Sequence, residues 1–191
     1  GPAMARRIVE KFGTEALLII ERTPSRLREV AGIGAKTAEK IAASYLRQSE
    51  LRDIMLWLED HGITGAYAGR IFKAYGSLAV EVMEKAPYRL AREIDGIGFV
   101  TADNIAIAAG WEKNSSERIA AGLSYEVTQI SSSGHCCIPE GMLAERAAQR
   151  LGVARSEVME VLSREVKMSR LYAVDDMGER LIYAPQLYKA E

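Results

Sequence analysis

Gly32-Ile33-Gly34-Ala35-Lys36-Thr37 is the stretch that decides the fold. Apolar residues precede it at Leu27 and Val30 and follow it at Ala38, Ile41 and Ala42. That spacing predicts helix, tight turn, helix. Two glycines around one apolar residue let the backbone turn where a Cβ would clash. The turn feeds directly into the second helix. The first amide groups of that helix face outward at the positive end of its dipole, where a phosphate can sit without a dedicated side chain. Lys36 adds a charge there and Thr37 a hydroxyl, and Lys40 follows one turn later. For one Gly-x-Gly, a plain helix connection is a sufficient reading. Recurrence of the unit is what gives the motif weight.

Residues 1–46 and 64–109 are two copies of one pattern, offset by 63 positions and, after one inserted residue, by 64. Ala5, Arg7 and Ile8 match Ala68, Arg70 and Ile71. Phe12-Gly13 matches Tyr75-Gly76, and Pro24, Arg26 and Leu27 match Pro87, Arg89 and Leu90. Beyond the insertion, Gly32-Ile33-Gly34 matches Gly96-Ile97-Gly98, and Thr37-Ala38 matches Thr101-Ala102. So many ordered matches indicate tandem duplication. Each copy is itself bipartite. Ala-x-x-Ile recurs at Ala5/Ile8, Ala38/Ile41, Ala68/Ile71 and Ala102/Ile105, each time after a turn: Gly1-Pro2, Gly32–Gly34, Gly62–Gly65 and Gly96–Gly98. Four helical hairpins are expected. Alanine lets paired helices approach closely, and isoleucine fills the core one turn on.

The linking segments also read as helical. Gly13 and Gly76 end helices. Ala16-Leu17-Ile20 and Ala79-Val80-Met83 are spaced for one face, and Pro24 and Pro87 suit a first turn. Leu51, Ile54, Met55 and Leu58 predict a separate helix over 50–61, joining the two copies. At Gly110 the repeat stops, so domains of 1–110 and 111–191 are expected. Asn114-x-x-Glu117 resembles a capping box for a helix along Ile119, Leu123, Val127 and Ile130. A short strand at 135–138 should follow, then helices at 139–152 and 155–168. Two strands, 171–174 and 180–184, should flank a turn at Asp175–Gly178. Helix, short strand, helix, helix, β-hairpin is the order of a winged-helix domain. The expected fold class is mainly α, with tandem helical hairpins followed by this small domain.

Composition bounds the function. Net charge is −1 over 191 residues. It is uneven: residues 1–50 carry +3, while 51–110 and 111–191 carry −2 each. Phosphate binding should therefore be local and centred on the first segment. No apolar run approaches the ~20 residues that span a bilayer, and no signal-peptide pattern opens the chain. Cys136 and Cys137 are adjacent and read as reduced thiols of a cytoplasmic protein. His61 and His135 stand alone and read as structural, so no metal site is expected.

The Gly-Ile-Gly-x-x-x-Ala-x-x-Ile turns resemble helix–hairpin–helix motifs, a family of sequence-independent DNA-binding hairpins whose turn amides contact phosphates. Taken with Pro87-Tyr88-Arg89-Leu90, Gly96-Ile97-Gly98-Phe99 and Thr101-Ala102-Asp103, the whole chain resembles the N-terminal region of bacterial RecD-like (RecD/TraA-type) ATP-dependent DNA helicases. That resemblance implies a superfamily 1 motor, moving 5′ to 3′ on single-stranded DNA, in the same polypeptide. ATP and Mg would belong to the motor. No Gly-x-x-x-x-Gly-Lys-[Ser/Thr] occurs in this sequence, so the chain is expected to be a non-catalytic piece without a cofactor of its own. Gly1-Pro2 reads as the second half of a hairpin turn or as an expression scar.

The resemblance transfers unevenly. Gly32, Ile33, Gly34, Ala35, Lys36, Thr37 and Lys40 match a DNA-binding turn. Gly96, Gly98 and Thr101 match too, but Phe99 and Val100 replace the polar positions. Phe99 is open to two readings: stacking on a base, or packing in the core. The 62–65 turn is degenerate and reads as structural. In the winged-helix segment, Arg164 and Lys167 are mixed with Glu157, Glu160 and Glu165, and the hairpin is acidic. That pattern favours docking over groove reading. The leading expectation is an accessory region that binds single-stranded, duplex or forked DNA. The alternative is a protein-interaction scaffold that docks the motor or a partner. A glycosylase-like role for Asp103 is weak, and its position suggests helix surface or capping.

Overall fold

The computed structural model describes residues 1–185. The last six residues expected in the second domain lie outside the described residues. The chain divides by packing into two compact units, Gly1–Val80 and Glu81–Glu191. The change of composition falls elsewhere, at Gly110.

The first unit opens with α1 (Pro2–Phe12), a 3-10 turn and α2 (Ala16–Arg22). Gly13 ends α1 with φ +58°. The segment before the decisive turn is a 3-10 helix, Pro24–Glu29, rather than an α-helix. The turn then launches α3 (Ala35–Asp60). One continuous helix of 26 residues replaces the two expected from 35 and over 50–61. Nothing between Ala43 and Glu50 breaks a helix: no Gly, no Pro, and mostly good helix formers. α4 (Ala68–Tyr75) follows the Gly62–Gly65 turn and packs along α3, as do the 3-10 turns on either side of it. Ile8, Phe12, Ala16, Ile19, Leu27, Val30, Ile33 and Ala38 form one core cluster. Ile19 rather than Leu17 is buried on α2, and Leu17 is exposed. The α2 core face is thus Ala16 and Ile19 with Ile20 packed beside them, and of the expected Ala16-Leu17-Ile20 set only Leu17 lies outside it.

The division between the units falls within α5 (Ala79–Lys85). In the second unit, α6 (Arg89–Glu93) leads through the Gly96–Gly98 turn into α7 (Phe99–Ala108). Pro87 lies in the turn before α6. α8 (Ser116–Ser132), β1 (Cys137–Pro139), α9 (Glu140–Leu151), α10 (Arg155–Lys167), β2 (Tyr172–Asp176) and β3 (Glu179–Tyr183) give the winged-helix order. The sheet is antiparallel in the order β1-β3-β2, with Ile138 and Ala173 both opposite Ile182.

Two local expectations shift. Ser115, not Asn114, caps α8: its Oγ accepts from the Arg118 N–H at 3.2 Å. Asn114 instead donates to Glu157 Oε1 at 3.0 Å. Asp175 and Asp176 belong to β2, and the hairpin turn is only Met177-Gly178, at φ +49° and +84°. Two consecutive positive φ values are what a tight hairpin of matching twist requires. One cluster holds Tyr88, Phe99, Ala102 and Ala106 together with Ile119, Leu123, Leu143, Leu162 and Ile182. The second copy's hairpin therefore shares its core with the winged-helix elements. This is why the compact unit begins well before Gly110.

Candidate nucleic-acid interface

The first Gly-Ile-Gly turn is built from its backbone outward. Gly32 has φ +86°, a conformation that costs an ordinary residue. Ile33 is buried in the first unit's core, and its N–H donates to Val30 O at 3.1 Å. Its part is thus to anchor the turn. Gly34 is the N-cap of α3 with extended backbone and no side-chain cap. The first intrahelical bond runs from Ala38 N to Gly34 O at 2.9 Å. The amides of Ala35, Lys36 and Thr37 therefore have no intrahelical acceptor. Gly32, Gly34, Ala35, Lys36 and Lys40 are exposed, and Thr37 is half-buried. Lys36 and Lys40 are four apart on one face of α3.

Arg7 joins them. Its Nη1 donates to Ala31 O at 3.1 Å from exposed surroundings, and it lies 3.0 Å from where a Cβ on Gly32 would be. The sequence carried one signal for it, the Arg7/Arg70 match in the repeat. The 24-residue separation between Arg7 and Ala31 hides the contact itself. Arg26 is otherwise engaged. It pairs with Glu29 at 3.1 Å and its guanidinium lies 5.3 Å from the Phe12 ring centroid. The hydrogen bond from Arg26 holds the Glu29 carboxyl below its ordinary range.

The second turn repeats the backbone. Gly96 has φ +85°, Ile97 is buried with its N–H on Ile94 O at 3.2 Å, and Gly98 is an extended N-cap without a side-chain cap. Its surroundings differ. Asp95 stands where the first copy has Ala31, Val100 where it has Lys36, and Asn104 where it has Lys40. Thr101 is half-buried. Phe99 is 8% exposed and stacks between Tyr88 and Tyr125, with centroids 5.9 and 4.9 Å away. Of its two readings, the packed one describes this structure.

Comparison with known proteins bears on these turns. Residues 47–137 match the family described as the ATP-dependent RecD2 DNA helicase HHH domain. Residues 1–44 match the SAM-like helix-hairpin-helix tandem. The whole chain is similar to the ATP-dependent RecD2 DNA helicase of Deinococcus radiodurans, at 28% identity over 201 aligned residues. Residues 1–137 are thus similar to the helix–hairpin–helix region of RecD-like helicases. The chain spans 28% of the length of that relative.

Within the RecD-like region, Asp103 has a different place from the helix surface expected of it. Arg118, 5% exposed, grips it with both forks, Nε to Oδ1 at 2.9 Å and Nη2 to Oδ2 at 3.0 Å. Arg118 Nη1 also donates to Lys113 O at 2.7 Å and Leu151 O at 2.8 Å. Tyr88 Oη donates to Asp103 Oδ1 at 2.6 Å. Burial first, and then that bond, push the Tyr88 phenol far above its ordinary range. The network satisfies a buried charge and ties α7 to α8 and to the end of α9. On α10, Arg155, Glu160, Arg164 and Lys167 are exposed, a surface of mixed sign. Glu165 is buried and pairs with Arg170 at 3.2 Å. Among the described residues, no group of three His, Cys, Asp or Glu is placed to hold a metal ion. None of their helices is long and apolar enough to cross a membrane.

Proposed function

We propose that this chain is a non-catalytic DNA-binding accessory region of a RecD-like helicase. It grips the DNA backbone, without reading sequence, through the Gly32–Lys40 turn. The observation that carries this reading is the uncapped N-terminus of α3, presented by Gly32-Ile33-Gly34 with Lys36 and Lys40 exposed beside it. Amides at the positive end of a helix and two lysines on one face suit phosphate oxygens. Arg7 adds a third cation at the same turn. Ala35 keeps the approach open, and Thr37 supplies a hydroxyl. Gly96, Gly98 and Thr101 form a weaker, uncharged counterpart, and Phe99 serves packing there.

The ATP- and Mg-dependent motor, moving 5′ to 3′, would lie elsewhere in the same polypeptide, in a cytoplasmic protein of DNA recombination and repair. The similarity to an ATP-dependent RecD2 DNA helicase supports this reading. Fluorescence anisotropy with single-stranded, duplex and forked DNA at two salt concentrations tests the reading. Binding should weaken as salt rises, and Lys36→Glu with Lys40→Glu should weaken it further. Unchanged affinity in that variant would refute the proposal.

A second reading is a scaffold that docks the motor or a partner protein. The net charge of −4 over residues 51–191 and the mixed surface of α10 favour it for the second unit. It predicts a stable complex with the motor domains and no salt-dependent DNA binding.

A further inference from the structure

The second unit carries a groove along α8. Its first part is a cavity of about 420 Å³, lined by side chains of α6, α8 and the Arg170-Leu171 segment. Its second part, of about 300 Å³, reaches Gly98 at the second hairpin turn. Both parts share Tyr88, Arg92, Ala121 and Ser124, so they are continuous. Small side chains of α8 keep the floor open, Ala120 and Ala121 among them. From Glu117 to Gln129 that floor is about 18 Å long at the rise of an α-helix.

Residues 81–191 carry a net charge of −4. The first cavity reverses that sign. Lys85, Arg89, Arg92 and Arg170 line it against two carboxylates, Glu117 and Glu165. Lys85, Arg89 and Arg170 are each held by a carboxylate, at 3.2, 2.9 and 3.2 Å. Arg92 is exposed and, among the described residues, pairs with none. Trp111 lines the same cavity. Its Nε1 donates to Glu84 O at 2.8 Å, and it meets Tyr88 edge to face with centroids 5.7 Å apart. These contacts fix the ring, which stays half-buried beside the cations.

We infer that this groove binds single-stranded DNA, with a base stacked on Trp111 and the backbone held by Arg92 and the neighbouring cations. A fixed ring among cations suits a nucleotide, offering a π-face to the base and charge to the phosphate. Duplex DNA has its bases paired and stacked inside, so it leaves the ring unused. An acidic peptide matches the cations but brings no flat partner for the ring. At the far end of the groove, α7 starts at Gly98 without a side-chain cap, and its positive dipole end suits a further phosphate. The inference rests on the DNA-binding reading and adds to it a strand-specific contact in the second unit.

The test uses Trp57→Phe, which leaves Trp111 as the only tryptophan. An oligothymidine of about eight nucleotides should quench Trp111 emission saturably. Arg92→Glu should weaken that binding about fivefold or more and flatten its salt slope by about 0.7 unit, the share of one phosphate on a single strand. Arg92→Lys, which keeps the charge, should bind nearly as the unaltered residue does. The quenching should persist with Lys36→Glu and Lys40→Glu. If Trp111 is not quenched while DNA binding still depends on Lys36 and Lys40, this inference fails and the first-turn reading stands. If quenching persists while Lys36→Glu with Lys40→Glu leaves all DNA affinity unchanged, the first-turn reading fails and the groove stands. Equal quenching by a blunt duplex or by an oligoglutamate peptide would overturn the inference, because the groove would then take a duplex or an acidic protein segment.

Discussion

Gly32-Ile33-Gly34 and Gly96-Ile97-Gly98 have nearly the same backbone and different chemistry. The first glycines differ by one degree in φ, at +86° and +85°, and the N-cap glycines by two, at −87° and −89°. Both isoleucines are buried and both turns close on the residue three back. Around the first turn stand Lys36, Lys40 and Arg7. Around the second stand Asp95, Val100 and Asn104, with Phe99 drawn into an aromatic stack. Duplication copied the geometry, and the side chains then diverged. The comparison separates what a hairpin turn needs in order to fold from what it needs in order to hold a phosphate. Backbone and buried isoleucine serve the first need, and in the function we propose exposed cations serve the second.

The largest effect should come from the packing side of this comparison. Asp103→Ala leaves Arg118 buried and unpaired. Removing one partner of a buried ion pair costs about 3–5 kcal/mol, so denaturant unfolding of the second unit should shift by that order. The DNA affinity of the surviving fold should be unchanged. Next, Lys36→Glu with Lys40→Glu should lower DNA affinity at low salt about tenfold or more and reduce the salt slope by about two units, one for each phosphate released. Val100→Glu with Asn104→Glu, the same reversal at the second turn, should change the slope by less than about one unit. Equal losses at both turns would break the distinction.

The turns and the duplication were legible because they are local. Glycine at fixed offsets and Ala-x-x-Ile after each turn are properties of a few adjacent residues. What escaped depends on distance or on absence. Arg118 meets Asp103 across 15 positions, and nothing near Asp103 announces a partner. Arg7 reaches Ala31 across 24. The unbroken α3 was hidden because two apolar patterns, one before and one after Ser44–Glu50, looked like two helices, while the intervening residues carry no break. The capping shift from Asn114 to Ser115 is one residue, and either side chain can cap. Only the pairing of Asn114 with Glu157 from α10 decides between them.

A smaller effect tests the shared backbone. Gly32→Ala and Gly96→Ala each force a Cβ into a left-handed conformation, which costs roughly 1–2 kcal/mol. Thermal unfolding should show similar penalties for the two. A large penalty at only one would mean the turns are not geometrically equivalent in solution. The smallest effect should be the most informative. Val100→Lys restores the missing lysine to the second turn, and with Asp95→Ala it should steepen the salt slope by at most about one unit. No change would show that cations alone do not make this turn a phosphate site.

The most direct test of the central claim is the slope of log affinity against log salt for duplex DNA, measured for the unaltered chain and for Lys36→Glu with Lys40→Glu. We expect a clear negative slope that flattens by about two units in the variant. A slope near zero in the unaltered chain, or one that the variant leaves untouched, would contradict the claim that the first turn grips DNA.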